Sequence, residues 1–161
     1  MRLQIFTLMF MITLFLGCSE SEVDYTITEA DKKEIEALKK NIPLILANEG
    51  WEAYEKTFSK NYKNWHMLGD QVRHRDEYLS LVKQWYDAGN RANDSEVQSV
   101  AFIPIAKNKV MYLHKQIERF DLVNTEEKQL SRDIRFIGIF IKEEGEWKVD
   151  FTAFMDAPQN S

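Results

Sequence analysis

One cysteine, three prolines, six glycines and three histidines are spread over 161 residues, and each scarcity removes a class of chemistry. A single thiol closes no internal disulfide, so the folded part must be held by its core alone. The histidines, at positions 66, 74 and 114, show no H-x-x-x-H spacing and have no thiol to join them, so no metal site is expected. The chain has no glycine-rich phosphate loop, no G-x-S-x-G elbow and no dinucleotide fingerprint, and no cofactor is expected. With a formal net charge of -5 and no basic stripe, it is a poor candidate for nucleic acid, which demands clustered Lys and Arg along one face. Internal repeats and low-complexity segments are lacking as well.

The lone cysteine is informative by its position. Cys18 closes an apolar run that begins soon after Met1-Arg2 and ends in Leu14-Phe15-Leu16-Gly17-Cys18. Leu3 to Gly17 are too few for a comfortable membrane span, which needs roughly 20 apolar residues. Phe15 and Leu16 before Gly17 suit a lipoprotein peptidase better than an ordinary signal peptidase, although Phe15 stands where Leu, Val or Ile is usual. The expectation is a signal peptide over 1–17, cleavage before Cys18, and lipidation of Cys18 as the membrane attachment. Ser19-Glu20-Ser21-Glu22-Val23-Asp24 then carries too little apolar surface to fold, and 18–27 reads as a lipidated tether. It resembles the acidic export tag of Bacteroidota lipoproteins, which places the protein at the cell envelope, on the outer membrane, periplasmic or surface-exposed. The mature chain is one charge more negative than the whole, since Arg2 leaves with the signal.

About 135 residues from Tyr25 onward suffice for one domain, placed at 28–157. Thr28 followed by Asp31 reads as an N-cap with an acid in the first turn. Ile35, Leu38, Ile42, Ile45 and Leu46 recur at helical spacing, with a kink expected near Lys39 to Ile42 because Pro43 removes a backbone donor. Asn48-Glu49-Gly50 ends that helix. Trp51, Tyr54 and Phe58 share a face of a second, and Arg75 to Ala88 form a third with Gly89 as its C-cap. After Gly89 the pattern changes to runs of Val, Ile, Phe and Tyr, placed as strands at about Glu96 to Ile105, Lys109 to Val123, Leu130 to Lys142 and Trp147 to Met155. Lys107-Asn108 and Glu143-Glu144-Gly145-Glu146 are read as hairpin turns, and Asn64 to Leu68 as a further short strand. Helices followed by a meander indicate an α+β domain.

Gly50-Trp51-Glu52-Ala53-Tyr54 with Phe58, Asn64-Trp65-His66-Met67, Arg75-Asp76-Glu77-Tyr78, Trp85-Tyr86-Asp87-Ala88-Gly89 and Gly145-Glu146-Trp147-Lys148-Val149 together resemble the SnoaL-like branch of the nuclear-transport-factor-2-like superfamily. The order and spacing agree across residues 29 to 156. The resemblance implies a cone, with three N-terminal helices packed on a curved antiparallel sheet around a pocket, and often a homodimer through the outer sheet face. It hosts isomerases, cyclases, dehydratases and binding-only proteins, so it constrains architecture more than activity.

Enzymes of that superfamily set an Asp or His base against a Tyr or second acid, which turns attention to His66, Asp70, His114, Glu118, Tyr54, Tyr86 and Tyr112. His66 alternates with Trp65 and Met67 and is expected to point outward if those two are core. Asp70 follows Gly69 and reads most simply as a turn residue. In the second long strand Tyr112, His114, Gln116 and Glu118 share one face, and Met111, Leu113 and Ile117 the other. The simpler expectation puts the apolar row on the core and the polar row toward solvent or a dimer partner. The competing one makes Tyr112, His114 and Glu118 a pocket wall. On the next strand Arg132, Ile134, Phe136, Gly138 and Phe140 alternate against Asp133, Arg135, Ile137, Ile139 and Ile141; both rows are largely apolar, which suggests cover on both faces and supports a homodimer.

Two functions from different classes follow. The preferred one is a membrane-anchored module without catalysis that binds a small apolar or aromatic molecule or a protein partner, with Tyr54, Phe58, Trp65, Trp85, Tyr112, Glu118 and Phe136 lining the pocket. The other is a ketosteroid-isomerase-like or SnoaL-like isomerase or lyase, with His114 or Asp70 as base and Tyr86 or Tyr54 as oxyanion donor.

Overall fold

The computed structural model describes residues 25–123 and 125–157. The expected signal peptide 1–17, Cys18 and most of the tether lie outside the described residues. Helix α1 spans Glu29–Asn48, α2 Trp51–Lys56 and α3 Arg75–Asp87; the strands are β1 Phe58–His66, β2 Val72–His74, β3 Arg91–Ala106, β4 Lys109–Asp121, β5 Gln129–Glu143 and β6 Glu146–Asp156. They form one six-stranded sheet in the order β2-β1-β6-β5-β4-β3. Every neighbouring pair is antiparallel except β1 with β6, which run parallel. The architecture is therefore α+β, with the helices gathered before the meander.

Local chemistry accounts for the boundaries. A reciprocal capping box starts α1: the Asp31 backbone N–H donates to Thr28 Oγ1 at 3.1 Å, and the Thr28 N–H donates to the Asp31 carboxylate at 3.4 Å. The helix continues through Pro43 to Asn48 and buries Ile35, Lys39, Ile42 and Leu46 as one stripe. Between β5 and β6 both turn residues, Glu144 and Gly145, have positive φ (54° and 88°), the conformation of a two-residue turn that follows the twist of its strands. Bulges fall in β3 at 92/94, 99/101 and 104/106 and between Ile139 and Phe140 opposite β6; each inserts a residue and bends its strand, and a sheet bent this way curves around the helices.

Several expected elements shift. Phe58 opens β1 instead of extending the second helix, because α2 stops at Lys56; β1 starts six residues before the expected Asn64, and β3 starts at Arg91 instead of Glu96. The preferred orientation of β4 is overturned. Val110, Tyr112, His114 and Gln116 are buried, and Met111, Leu113 and Ile117 are half-buried on the outer face. Two things let the polar row go inside. Gln116 Nε2 donates to Ser95 Oγ at 2.8 Å and reaches the Lys39 carbonyl at 3.5 Å, and the rings of Phe102, Tyr112, His114 and Phe136 stack across β3, β4 and β5 at 4.3, 4.4 and 4.9 Å.

The core joins Ile35, Ile42 and Leu46 of α1 to Tyr54, Phe58, Tyr62 and Leu79 and to Val110, Tyr112, Phe140, Trp147 and Val149 of the sheet. Among the described residues no helix is long and apolar enough to cross a membrane.

Candidate functional site

The inner face of the sheet and the three helices frame an open cavity of about 370 Å³. Helix α1 contributes Lys39, Ile42, Pro43 and Leu46; α2 contributes Tyr54; α3 contributes Tyr78, Leu81, Val82 and Trp85. From the sheet come Phe58, Tyr62 and Asn64 of β1, Glu118 and Phe120 of β4, Arg132, Ile134 and Phe136 of β5, and Val149, Thr152 and Phe154 of β6. Arg73 of β2 also lines it; the rest of the lining is mostly apolar and aromatic, with its polar groups in two places.

Tyrosines make up the first. Tyr54 and Tyr78 place their hydroxyls 3.1 Å apart, Tyr62 packs edge-on to Tyr78 with centroids at 5.1 Å, and Asn64 Nδ2 donates to Tyr62 Oη at 3.4 Å. Phe58 wedges among these rings, 5.1 Å from Tyr54 and 4.6 Å from Tyr62. Burial pushes all three phenols above their ordinary range, so they remain neutral donors at any physiological pH.

Lys39, Glu118 and Arg132 form the second. Lys39 is buried with its ammonium 3.8 Å from the centroid of Phe136, and desolvation brings its pKa down to about 8 against a smaller upward pull from Glu118. Burial pushes the Glu118 carboxyl up, opposed by the nearby charges of Lys39 and Arg132. Arg132 faces Glu118 across β4 and β5 and donates twice to Asp156 Oδ1, at 3.0 and 2.8 Å. His66 joins at the edge: its Nε2 is 3.7 Å from Asp156 Oδ2 and its ring meets Phe154 edge-on at 4.9 Å.

Tyr54, Phe58, Trp85, Glu118 and Phe136, all expected at the pocket, line this cavity. Trp65 and Tyr112 do not. Trp65 points away from the side taken by Asn64 and His66, with its indole N–H donating to the Gly69 carbonyl at 2.8 Å; the expectation that His66 points outward is thereby reversed. Tyr112 lies under α1 with its hydroxyl 2.6 Å from Ser99 Oγ. The expected catalytic residues also stand elsewhere. His114 is clamped between Tyr112 and Phe136, outside the lining, with neither ring nitrogen hydrogen-bonded among the described residues, and burial drives its pKa down to about 2. A ring so desolvated is no base for a ligand it does not touch. Asp70 is exposed in the turn after β1. Tyr86 is covered by the Arg91 guanidinium, 3.7 Å above its ring. What the sequence reading missed is Lys39, together with Tyr62, Asn64, Thr152 and the cavity role of Tyr78. Among the described residues no group of three or more His, Cys, Asp or Glu side chains could hold a metal ion.

In sequence the chain matches no family model and no curated protein. In structure it is similar to a ketosteroid isomerase-like protein from Erwinia carotovora atroseptica, with a TM-score of 0.63 and 10% identity over 82% of this chain and 100% of that one. An NTF2-like protein from Prochlorococcus aligns with a TM-score of 0.63 and 12% identity over 83% and 97% of the two chains. LinA aligns with a TM-score of 0.64 and 11% identity over 80% and 87%. At such identities the likeness concerns the backbone, and it agrees with the cone described above: this chain has the nuclear-transport-factor-2-like fold.

Proposed function

We propose that the mature protein is a lipid-anchored binding module, held at the cell envelope through acylated Cys18, whose cavity takes up a small, mainly apolar or ring-shaped molecule. One observation carries the reading: a cavity of about 370 Å³, within the range of ligand sites, is lined by aromatic rings and has few, clustered polar groups. Aromatic walls favour a flat ligand by area and by ring–ring contact, and the neutral hydroxyls of Tyr54 and Tyr78 offer hydrogen bonds to an oxygen at one end. The outer sheet face, where Ile103 and Ile137 are exposed, suits a second copy of the chain, and we include a homodimer in the proposal. A retained protein in place of a small molecule is a further outcome of the same test.

Native mass spectrometry of protein purified in mild detergent from its own membrane tests the binding. The expected result is a diacyl or triacyl mass at Cys18 plus a retained small molecule. Ligand-free protein that also fails to bind any of a panel of two- and three-ring aromatics would overturn the cavity reading. Recovery of the wild type from the soluble fraction with Cys18 unmodified would overturn the anchor.

Glu118 favours a second reading. It lines the same cavity as Tyr54 and Tyr78, and its raised pKa moves a carboxyl toward the range of a general base. In that reading Glu118 takes the place expected of His114, abstracting a proton beside a carbonyl that the Tyr54–Tyr78 pair polarises, as in an isomerase or lyase. Exchange of α-protons of a bound cyclic ketone for deuterium, lost in Glu118→Gln with the fold intact, separates this from binding alone.

A further inference from the structure

Three cationic side chains line the cavity, and two have partners. Arg132 is met by Asp156 at 2.8 and 3.0 Å, and Arg73 lies 3.7 Å from Glu77. Lys39 differs. Only 7% of it is exposed, and among the described residues no carboxylate lies within 4.0 Å of its Nζ. The helix itself aims it inward: Lys39 sits four residues after Ile35 and three before Ile42, within the stripe that α1 buries. Its backbone carbonyl, held by Gln116, fixes that stretch of α1 to the sheet. The ring of Phe136 lies 3.8 Å from the ammonium and interacts with it but accepts no proton and supplies no counter-charge. Glu118 attracts this ammonium across the cavity without touching it, so the buried charge has no anion in contact and its ion pair is incomplete.

We propose that the ligand of this cavity bears a carboxylate, which lodges against Lys39 Nζ while its apolar body lies among Phe58, Trp85 and Phe136. The inference rests on the cavity being a ligand site and adds the class of ligand. A neutral polar ligand would leave the ammonium with no anion in contact. A phosphate monoester would bring about two charges to a single cation that lacks a contacting carboxylate. A single carboxylate matches both the charge and the apolar surroundings.

Glu118 sets the proton balance. From β4 it shares the cavity with Lys39 of α1, Tyr54 of α2, Tyr78 of α3 and Arg132 of β5, with Asp156 of β6 beyond Arg132. Two carboxylates brought into one site resist ionising together, and the pKa of one of them rises. Arg132 is already neutralised by Asp156, and the tyrosines stay neutral, so the proton goes to Glu118. Its O–H then donates to the incoming carboxylate from one side as Lys39 donates from the other. Binding takes up a proton from solvent whenever Glu118 is ionised in the empty cavity.

Naphthoate and naphthamide, equal in shape and differing in charge, are the probes, titrated into the folded wild-type protein with Trp85 fluorescence and calorimetry as readouts. The acid is expected to bind at least about tenfold more tightly than the amide, the worth of one charge-assisted hydrogen bond. Lys39→Met, which keeps the length of the side chain, removes that advantage. Calorimetry in two buffers of different ionisation enthalpy at neutral pH reads uptake of a proton by the wild type that vanishes in Glu118→Gln. Equal affinities for acid and amide, or a preference that survives Lys39→Met, overturn the carboxylate while leaving the cavity reading intact. Binding of neither probe overturns the carboxylate, and overturns the cavity reading as well when the panel of two- and three-ring aromatics also fails.

Discussion

The Trp147 indole N–H donates to Asp31 Oδ1 at 3.0 Å, joining the last strand to the first turn of α1 across 116 residues. The same oxygen accepts from Lys142 Nζ at 2.8 Å, and the other carboxylate oxygen completes the capping box with Thr28. One side chain thus starts a helix and fastens it to the β5–β6 hairpin.

Asp31→Ala should therefore destabilise the fold by about 1–3 kcal/mol, since it removes a cap and leaves a buried indole donor unpaired. Asp31→Asn should cost less, because it keeps an acceptor. Urea unfolding followed by tryptophan fluorescence measures both. The hydrogen bonds from Lys142 and Thr28 hold the Asp31 carboxyl well below its ordinary range. Its contribution is therefore present above the unfolded value of 3.8 and is lost as the pH falls below it.

His114 supplies a second pH dependence in a different window. Desolvation lowers its folded pKa from 6.5 to about 2, so between those values the unfolded chain binds a proton that the folded one refuses. Stability should fall as the pH drops below about 6.5, at up to about 1.4 kcal/mol per pH unit for one proton. His114→Phe keeps the stack between Tyr112 and Phe136 and removes the titration. Glu118 and Asp31 titrate in both proteins, so the difference between the two stability curves from pH 6.5 to 4.5 isolates the imidazole. Parallel curves would show that the ring is hydrated in solution.

Gly138 tests how tightly the sheet packs beneath the helices. A Cβ there would come within 2.7 Å of Phe140 Cε2, and Phe140 is fully buried, so its ring has no free space to turn into. Gly138→Ala should cost about 1–3 kcal/mol by overpacking, visible as a lowered urea midpoint. Gly145→Ala should also destabilise, by backbone strain at φ 88°, although nothing lies within 4 Å of its added Cβ.

The fold was legible where hydrophobic pattern and turn chemistry agree, as at the capping box of α1 and the Glu144-Gly145 hairpin. It misled where one spacing serves two structures. Phe58 follows Trp51 and Tyr54 at helical intervals because it packs on Tyr54, yet it does so from the start of β1. On β4 both rows carry apolar atoms, and the choice between them was made by contacts distant in sequence: Gln116 with Ser95, and His114 with Phe136. Lys39 had a visible signal, a lysine at a stripe position of an amphipathic helix, which the count of apolar residues alone passes over. Trp65 and His66 exchanged faces because the alternation along β1 fixes which residues share a side and not which side is inner.

The outer face of β5 provides the test of self-association. Ile137, 36% exposed, stands in the row with Ile139 and Ile141, opposite the inward row of Ile134, Phe136 and Phe140. A β-branched apolar row left on the outside of a sheet costs solubility unless something covers it, and a second copy covers it with the same row. Lys at position 137 would place a charge at the centre of that contact while projecting into solvent in the monomer, so folding should change by no more than about 0.5 kcal/mol. The expected outcome for Ile137→Lys is unchanged circular dichroism with a fall from dimer to monomer in analytical ultracentrifugation of protein lacking residues 1–18. A wild type that sediments as a monomer at every concentration overturns the homodimer, and Ile137→Lys that remains a dimer puts the partner surface elsewhere.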